Sequence, residues 1–462
     1  METLARAANR GSVSTGYDID NSLKLEIDNT EYITRTNASA GNSKTWTFSG
    51  WYKLTELFSG DGPSLFEIYG GGPLKFFSIY MYQYTLIFYD YLGGVDYGKQ
   101  TTQVFRDTSA WYHIVLSVDT TDATAADRMK LYINGTRVTT FSTDFGDPPQ
   151  NFDTQANKSG MANRIGYSAA LSGIYYSGYV SEVNFVDGQA LAPTDFGEFD
   201  ADTGIWKPIE TNISSYGTNG FQLKFDNSSD LGEDANGGTS FTLNNITSVD
   251  QATDTPTNNF CTLNPLIYYG YGCTISQGAV KASDNSVGLG GAAGTVAVNK
   301  GKWYWEFQTN GANTIVGVQD IEADTTASDN AHETPYTMGL YLLGEYNYVN
   351  DSGGGRNDGA VDGFVHANAN FYGIALNMDD NEIEYYVNGV QKGPTFSLDE
   401  LSDLYLRPFV SSSSSILYFN FGAIYPDPIS TGNADANGYG NFEYAPPSGY
   451  YALCSKNLAE FG

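Results

Sequence analysis

Cysteine is scarce in this chain. Cys261, Cys273 and Cys454 are the only three in 462 residues, an odd and sparse set that makes no disulfide framework. Histidine is equally rare. His113, His332 and His366 are scattered, without the spacing of a zinc site. Long apolar runs are missing too: nothing approaches the roughly 18 continuous residues of a transmembrane helix. The opening METLARAANRGSVSTGYDID has no apolar h-region, which predicts a chain made in a cytoplasm without a secretory signal. Positive charge is also short, with 23 Lys and Arg against 53 Asp and Glu and a formal net charge of −30. Such a surface repels phosphate backbones and anionic membranes, so nucleic-acid binding and membrane insertion are not expected. It suits calcium, cationic or neutral partners, and solubility at high copy number or in salt. No Gly-x-Ser-x-Gly elbow, phosphate loop or dinucleotide fingerprint occurs, and the Gly353-Gly354-Gly355 run lacks the Lys-Ser/Thr of a phosphate cradle.

Aromatic residues and glycine are abundant: 35 Tyr, 26 Phe and 52 Gly. The first two favour half-buried pleated surfaces and the third supplies tight turns. One phrase is written twice, as WYHIVLSVDTTDATAADRMKLYINGTRV at 111–138 and as FYGIALNMDDNEIEYYVNGVQKG at 371–393. Each runs from an aromatic pair through a strand, an acidic turn and a second strand to Asn-Gly, the preferred type I′ hairpin pair. The chain therefore reads as all-β, with two antiparallel β-sandwiches and an irregular connector.

Residues 1–20 read as an N-terminal arm for docking on a partner, with Arg6 and Arg10 in it and Lys24 just beyond. Residues 21–197 form the first sandwich. Residues 198–265, rich in Asp, Asn, Thr, Gly and Ser, form an ordered but irregular connector, long for a simple linker, with the alternative that it lies over one of the sandwiches. Residues 266–424 form the second sandwich, and 425–462 a closing segment whose PPSGYYALC packs back as a short strand. Within the first sandwich, TWTFSGWYKL is expected to turn Trp46, Phe48 and, through a bulge, Trp51 inward. The run at 74–92 is expected to put Tyr80, Tyr82 and Tyr84 on one face, with Met81, Thr85 and Ile87 leaning to the other or to a bulge.

Exposed aromatics with polar neighbours stack on sugars, and they also build subunit interfaces. The candidates for either role are Tyr80, Tyr82, Tyr84, Tyr175 and Tyr176, with Tyr346 and Tyr348 in the second sandwich. Asp119, Asp122 and Asp127 line one turn and are the calcium candidate, since hard cations want carboxylate and carbonyl oxygens. Asp379 and Asp380 are a lesser one. Glu382 and Glu384 alternate on a strand, as a glycosidase carboxylate pair would, but they follow an acidic turn where solvated acids are ordinary. His113 reads as a strand histidine packed beside aromatics.

Residues 44–200 resemble a concanavalin-like, laminin-G-type jelly roll, on SGWYKL, TTQVFRDTSAWYHIVLSVDTT, DRMKLYINGTRV, RIGYS and GYVSEVNFVDGQALAPTDFGE together. GKWYWEF, IVGV, YGIALNMDDNEIEYYVNG and RPFVSSSSSILYFNFG resemble a SPRY-type sandwich. The order of the two domains resembles that in large structural proteins of tailed phages from marine bacteria. That resemblance implies a non-enzymatic structural protein of the virion, displayed as a fibre or appendage on tail or head. It implies other virion proteins as partners, contact with host-surface glycans and homo-oligomers. The alternatives are a purely structural capsid-decorating protein and a polysaccharide-trimming enzyme.

Overall fold

The structure is a computed structural model. It describes residues 16–58, 60–72, 75–267, 273–284, 290–323, 332, 334–343, 346–350, 356–360, 364 and 366–462, so Arg6 and Arg10 lie outside the described residues. The chain is all-β and divides into two compact units, one ending at Thr257 and the other beginning at Asn258.

In the first unit, Thr45–Leu54 is central to one sheet. It pairs antiparallel with Tyr112–Asp119 on one side and Gly178–Asp187 on the other. Met129–Ile133 and Thr136–Arg137 continue the sheet outward, and Ser22–Leu25 adds to Gly178–Asp187. The second sheet runs Phe141–Gly146, Val95–Val104, Thr85–Leu92, Lys75–Tyr82, Asp61–Tyr69, Ala162–Ile165, Tyr32–Thr36. Alternation sends Trp46, Phe48, Tyr52 and Leu54 of the first sheet into a core shared with Phe66, Ile68, Phe77, Ile79 and Phe88 of the second. Trp51 does not join them. The strand Thr45–Leu54 keeps its register through Trp51, and the bulge is on the partner strand at Glu182, whose φ is 45°. Trp51 therefore faces outward with Ser49 and Lys53.

The segment expected as a connector lies on the first sandwich as far as Thr257. Its strand Phe221–Leu223 pairs with Gly178–Asp187, Thr242–Asn244 with Tyr32–Thr36, and Gln251–Ala252 with Ser22–Leu25, so it extends both sheets of the first sandwich. Three buried ion pairs hold it. Arg35 Nη1 lies 2.8 Å from Asp234, with its guanidinium 5.0 Å from the Phe221 ring centroid and 4.9 Å from that of Phe241. Lys24 Nζ lies 2.7 Å from Asp250. Lys53 Nζ lies 2.6 Å from Asp254, both side chains fully buried, and Trp111 Nε1 donates to the second Asp254 oxygen at 3.0 Å. Lys24 is thus an interior residue and no docking group. The described end of the arm is also tied down: Tyr17 donates to Glu182 at 2.7 Å, and the Ile19 N–H to Thr257 Oγ1 at 3.0 Å.

In the second unit, Lys302–Thr309 is central. It pairs with Tyr372–Asn377 and Ile416–Asn420, and Tyr372–Asn377 pairs on to Glu382–Val387 and Val390–Ser397. The facing sheet is built on Leu406–Ser412 and Thr314–Asp320, followed by Thr337–Tyr341, Tyr346–Asn350 and Arg356–Ala360. Trp303, Trp305 and Phe307 are all buried. Their cluster takes in Val316, Leu340, Ile374, Leu417 and Phe419. The closing segment returns as expected: Tyr451–Ala452 adds parallel to Trp303 and Tyr304, and a short helix, Ser455–Phe461, follows. Both Asn-Gly pairs form the expected turns, with φ of 46° and 74° at Asn134-Gly135 and 49° and 75° at Asn388-Gly389.

A lone buried charge is costly, whereas an apolar pair of similar volume is not. Asp254→Ala is expected to lower unfolding free energy by about 3–5 kcal/mol. The double change Lys53→Met with Asp254→Leu should recover most of that loss, as read by urea denaturation of the three proteins.

Candidate functional site

The two outer faces of the first sandwich have different fates. That of the first sheet is closed by residues 191–216, which pack Phe196, Tyr216, Leu191 and Ile213 on Val115 and Val186. His113 lies under this cover. Its ring stacks on Trp51 at 4.6 Å and lies parallel to Trp206 at 6.0 Å. Trp206 Nε1 donates to Nδ1 at 3.0 Å, so the proton sits on Nε2 and is donated to Ser49 Oγ at 2.8 Å. This histidine therefore has no lone pair to offer Ser49, and the pair is no nucleophile. Burial pushes the imidazole pKa down to about 3.

The second sheet's outer face carries aromatics at its surface. Cross-strand pairs lay them out in rows: Tyr69 beside Phe76 beside Tyr91, Ser78 beside Tyr89 beside Gly98, and Ser64 beside Tyr80 beside Ile87. Tyr89 and Tyr91 stack at 5.9 Å and 13°, Phe76 touches both, and Phe145 meets Tyr89 edge-on at 5.2 Å. Tyr80, Tyr82, Tyr89 and Tyr91 are half-buried. Burial, reinforced by Asp96, raises the Tyr89 hydroxyl pKa, which keeps it a neutral donor. Further along the face Arg164 lies over the Tyr69 ring at 4.7 Å and is held by Glu67 at 2.8 Å. Glu67 also takes the Ser168 hydroxyl and the Ala169 and Ala170 N–H groups. Tyr32, Tyr167 and Tyr175 cluster beside it, with centroids 4.6–6.1 Å apart. The result is a broad aromatic face edged by a guanidinium, hydroxyls and carboxylates. Planar rings with polar rims are what an uncharged pyranose or a partner protein needs.

Of the residues singled out in the sequence, Tyr80, Tyr82 and Tyr175 stand on this face. Tyr84 does not continue their strand. Within the run 74–92, Lys75–Tyr82 and Thr85–Leu92 form a hairpin, and Gln83 and Tyr84 are its two turn residues, with φ of 48° and 69°. Arg106 lies 4.4 Å over the Tyr84 ring. The fold-back also brings Thr85 and Ile87 onto the face of Tyr82 and Tyr80, opposite to expectation. Tyr176 is a core residue whose hydroxyl donates to the Lys53 carbonyl at 2.8 Å. Tyr346 and Tyr348 lie on a strand whose side chains are outside the described residues. Tyr69, Phe76, Tyr89, Tyr91 and Arg164 were missed. Alternation in TLIFYDYL would have found Tyr89 and Tyr91 had the turn been recognised.

The acidic candidates stay separate. Asp119 accepts from Thr121, Asp122 from the Thr124 N–H, and Asp127 from Arg137 at 2.6 Å. Among the described residues no three His, Cys, Asp or Glu side chains converge as metal ligands. Asp379 accepts from the Gly301 N–H and Asp380 from Lys302. Glu384 accepts from Tyr386 and Thr395, each at 2.8 Å, and Glu382 lies 3.5 Å from Asn377 Nδ2.

A family model described as the Concanavalin A-like lectin/glucanases superfamily (Laminin_G_3) matches residues 28–195, the stretch that carries the aromatic face. Among solved structures the chain is similar to the PSpry domain of TRIM65, at 17% identity over 35% of this chain and 89% of that one, with a TM-score of 0.28. It is similar to the SPRY domain of human HERC1, at 20% identity over 34% and 96%, TM-score 0.28. A heptameric SAP-like pentraxin from Limulus polyphemus follows, at 16% identity over 38% and 80%, TM-score 0.27. The all-β architecture stands on the sheet topology alone. No curated protein matches the sequence.

The neutral state of His113 sets a pH dependence. The unfolded imidazole binds its proton near pH 6.5, the folded one near 3. Its contribution is complete above pH 6.5 and is lost as pH falls towards 3, at about 1.4 kcal/mol per pH unit. Buried Asp90 and Glu306, raised by burial to about 7, act in the opposite direction, so the comparison must be internal. The stability difference between wild type and His113→Asn should shrink steadily between pH 6.5 and 4.5 in urea titrations.

Proposed function

We propose that this chain is a non-enzymatic structural protein of a tailed-phage particle, displayed as a fibre or appendage on tail or head, whose tyrosine-lined sheet contacts host-surface glycans. The observation that carries the glycan reading is the field of half-buried rings at Tyr80, Tyr82, Tyr89 and Tyr91. The same sandwich covers its other outer face with its own chain, yet these rings remain at the surface. A concanavalin-like domain at 28–195 supports a binding role, and the domain order in the sequence supports the virion. Shallow aromatic faces hold single sugars weakly, so adhesion comes from several copies acting together. The net charge of −30 fits a neutral glycan better than a polyanion.

A capsid-decorating protein that uses the same face between its own copies is the second reading, since interfaces and sugar sites both favour tyrosine. Two measurements separate them. Binding of the full-length protein to host-surface glycan should weaken roughly two- to twelvefold in Tyr89→Ala and in Tyr91→Ala, from about 0.5–1.5 kcal/mol per stacked ring. The fold and the oligomeric state should hold. Loss of self-association with unchanged glycan binding selects the decorating role. Cross-linking mass spectrometry of purified particles through exposed Lys300 reads the position: links to capsid proteins mean head, links to baseplate or tail proteins mean tail. Absence of the protein from particles removes the virion reading altogether.

A further inference from the structure

We propose that Lys24, Glu31 and Asp250 form the reaction centre of a spontaneous intramolecular amide cross-link, joining Lys24 Nζ to Asp250 Cγ. Lys24 Nζ lies 2.7 Å from Asp250 Oδ1 and 3.3 Å from Glu31 Oε1, and the three side chains are 5%, 4% and 1% exposed. An amine and a carboxyl held in contact away from water meet the first demand of a dehydration: the released water is not replaced from bulk solvent. Asp250 Oδ2 accepts the Thr247 N–H at 2.7 Å and the Thr247 hydroxyl at 3.3 Å, donors placed to hold the oxygen that turns anionic when the amine adds. Glu31 Oε1 accepts from Asn29 Nδ2 at 2.7 Å, while Oε2 is buried without a hydrogen-bond partner. Burial pushes the Glu31 carboxyl pKa up to about 7, against the pull of Lys24, so it can take and return a proton near neutrality.

The balance closes without a co-reactant. The Lys24 ammonium gives a proton to Glu31, which passes it to Asp250 Oδ1, and the freed amine adds to Cγ of the resulting carboxylic acid. The tetrahedral centre sheds its second N–H proton, the Cγ–Oδ1 bond breaks, and Oδ1 leaves as water carrying protons delivered through Glu31. An ammonium and a carboxylate become one secondary amide and one water. Lys24 is in the strand Ser22–Leu25, and Asp250 directly precedes its partner Gln251–Ala252. The bond would lock the first described strand of the unit to its last, against unravelling under force.

The test is the mass of the full-length protein under denaturing conditions. The expected value is one water below the sequence mass, with a tryptic digest that shows no cleavage after Lys24 and one peptide pair joined through Lys24 and Asp250. Glu31→Gln and Lys24→Arg should return the full mass. A wild-type protein at full sequence mass overturns the proposal, and this readout needs no variant to fold. Water loss mapped to Lys53 and Asp254, the other buried pair, overturns the assignment. A retained link in Glu31→Gln overturns the role of Glu31.

Discussion

The first sandwich depends on three buried cations meeting three carboxylates from one acidic segment. Arg35, Lys24 and Lys53 are drawn from only 23 basic residues in the chain. Each faces a partner between Asp234 and Asp254. Buried pairs of this kind gain little over apolar packing, but a partner placed wrongly leaves a bare charge in the interior. They therefore specify register more than they add stability. Residues 221–252 contribute three short strands, none longer than three residues, and strands so short have little hydrophobic pattern to align them. Charge matching supplies the alignment that side-chain alternation does not.

The second unit solves the same problem with a carboxylate and backbone amides. Glu306, buried on the central strand, accepts the Glu443 and Tyr444 N–H groups, each at 2.8 Å. Asp435 accepts the Ala452 N–H at 2.9 Å and Asn457 Nδ2 at 2.8 Å. The repeated phrase shows how alike the two solutions are. In each copy the turn asparagine accepts a backbone N–H at the start of the phrase's first strand, Asn134 from His113 at 2.8 Å and Asn388 from Phe371 at 3.0 Å. In each copy an aromatic ring from the later, wrapping chain lies against the turn glycine. A Cβ on Gly135 would stand 2.2 Å from Trp206, and one on Gly389 2.6 Å from Tyr444. The glycine is required twice over, by its φ and by the ring above it.

What was legible in the sequence follows from the range of the forces involved. Strands and Asn-Gly turns rest on local alternation and on φ > 0, and Thr45–Leu54, Tyr112–Asp119, Gly178–Asp187 and Lys302–Thr309 stand where the pattern puts them. The wrap of residues 206–257 rests on pairs between residues about two hundred positions apart, such as Lys53 with Asp254, and Asp-rich, Gly-rich composition carries no sign of them. Composition alone made that segment look like a connector. The aromatic face was half legible for a local reason. Gln83 and Tyr84 adopt a left-handed turn without glycine or asparagine, so one long run hid a hairpin and folded Tyr84 out of the row of Tyr80 and Tyr82.

A sandwich has two outer faces, and water meets whatever the chain leaves uncovered. Here the residues after Asp187 return across the first sheet and bury Val115, Val186 and the His113 ring under Phe196, Trp206 and Tyr216. Covering that face orders a long polar segment, whose entropy only a well-packed apolar layer offsets. The second sheet's outer face is covered only in part: Phe76, Ser78 and Ile87 are buried on it, while Tyr80, Tyr89 and Tyr91 stay half-buried. Large apolar patches left at a surface mark contact with something else. The asymmetry between the two faces, one closed by the chain and one left partly aromatic, is the feature of the fold on which the proposed binding role rests.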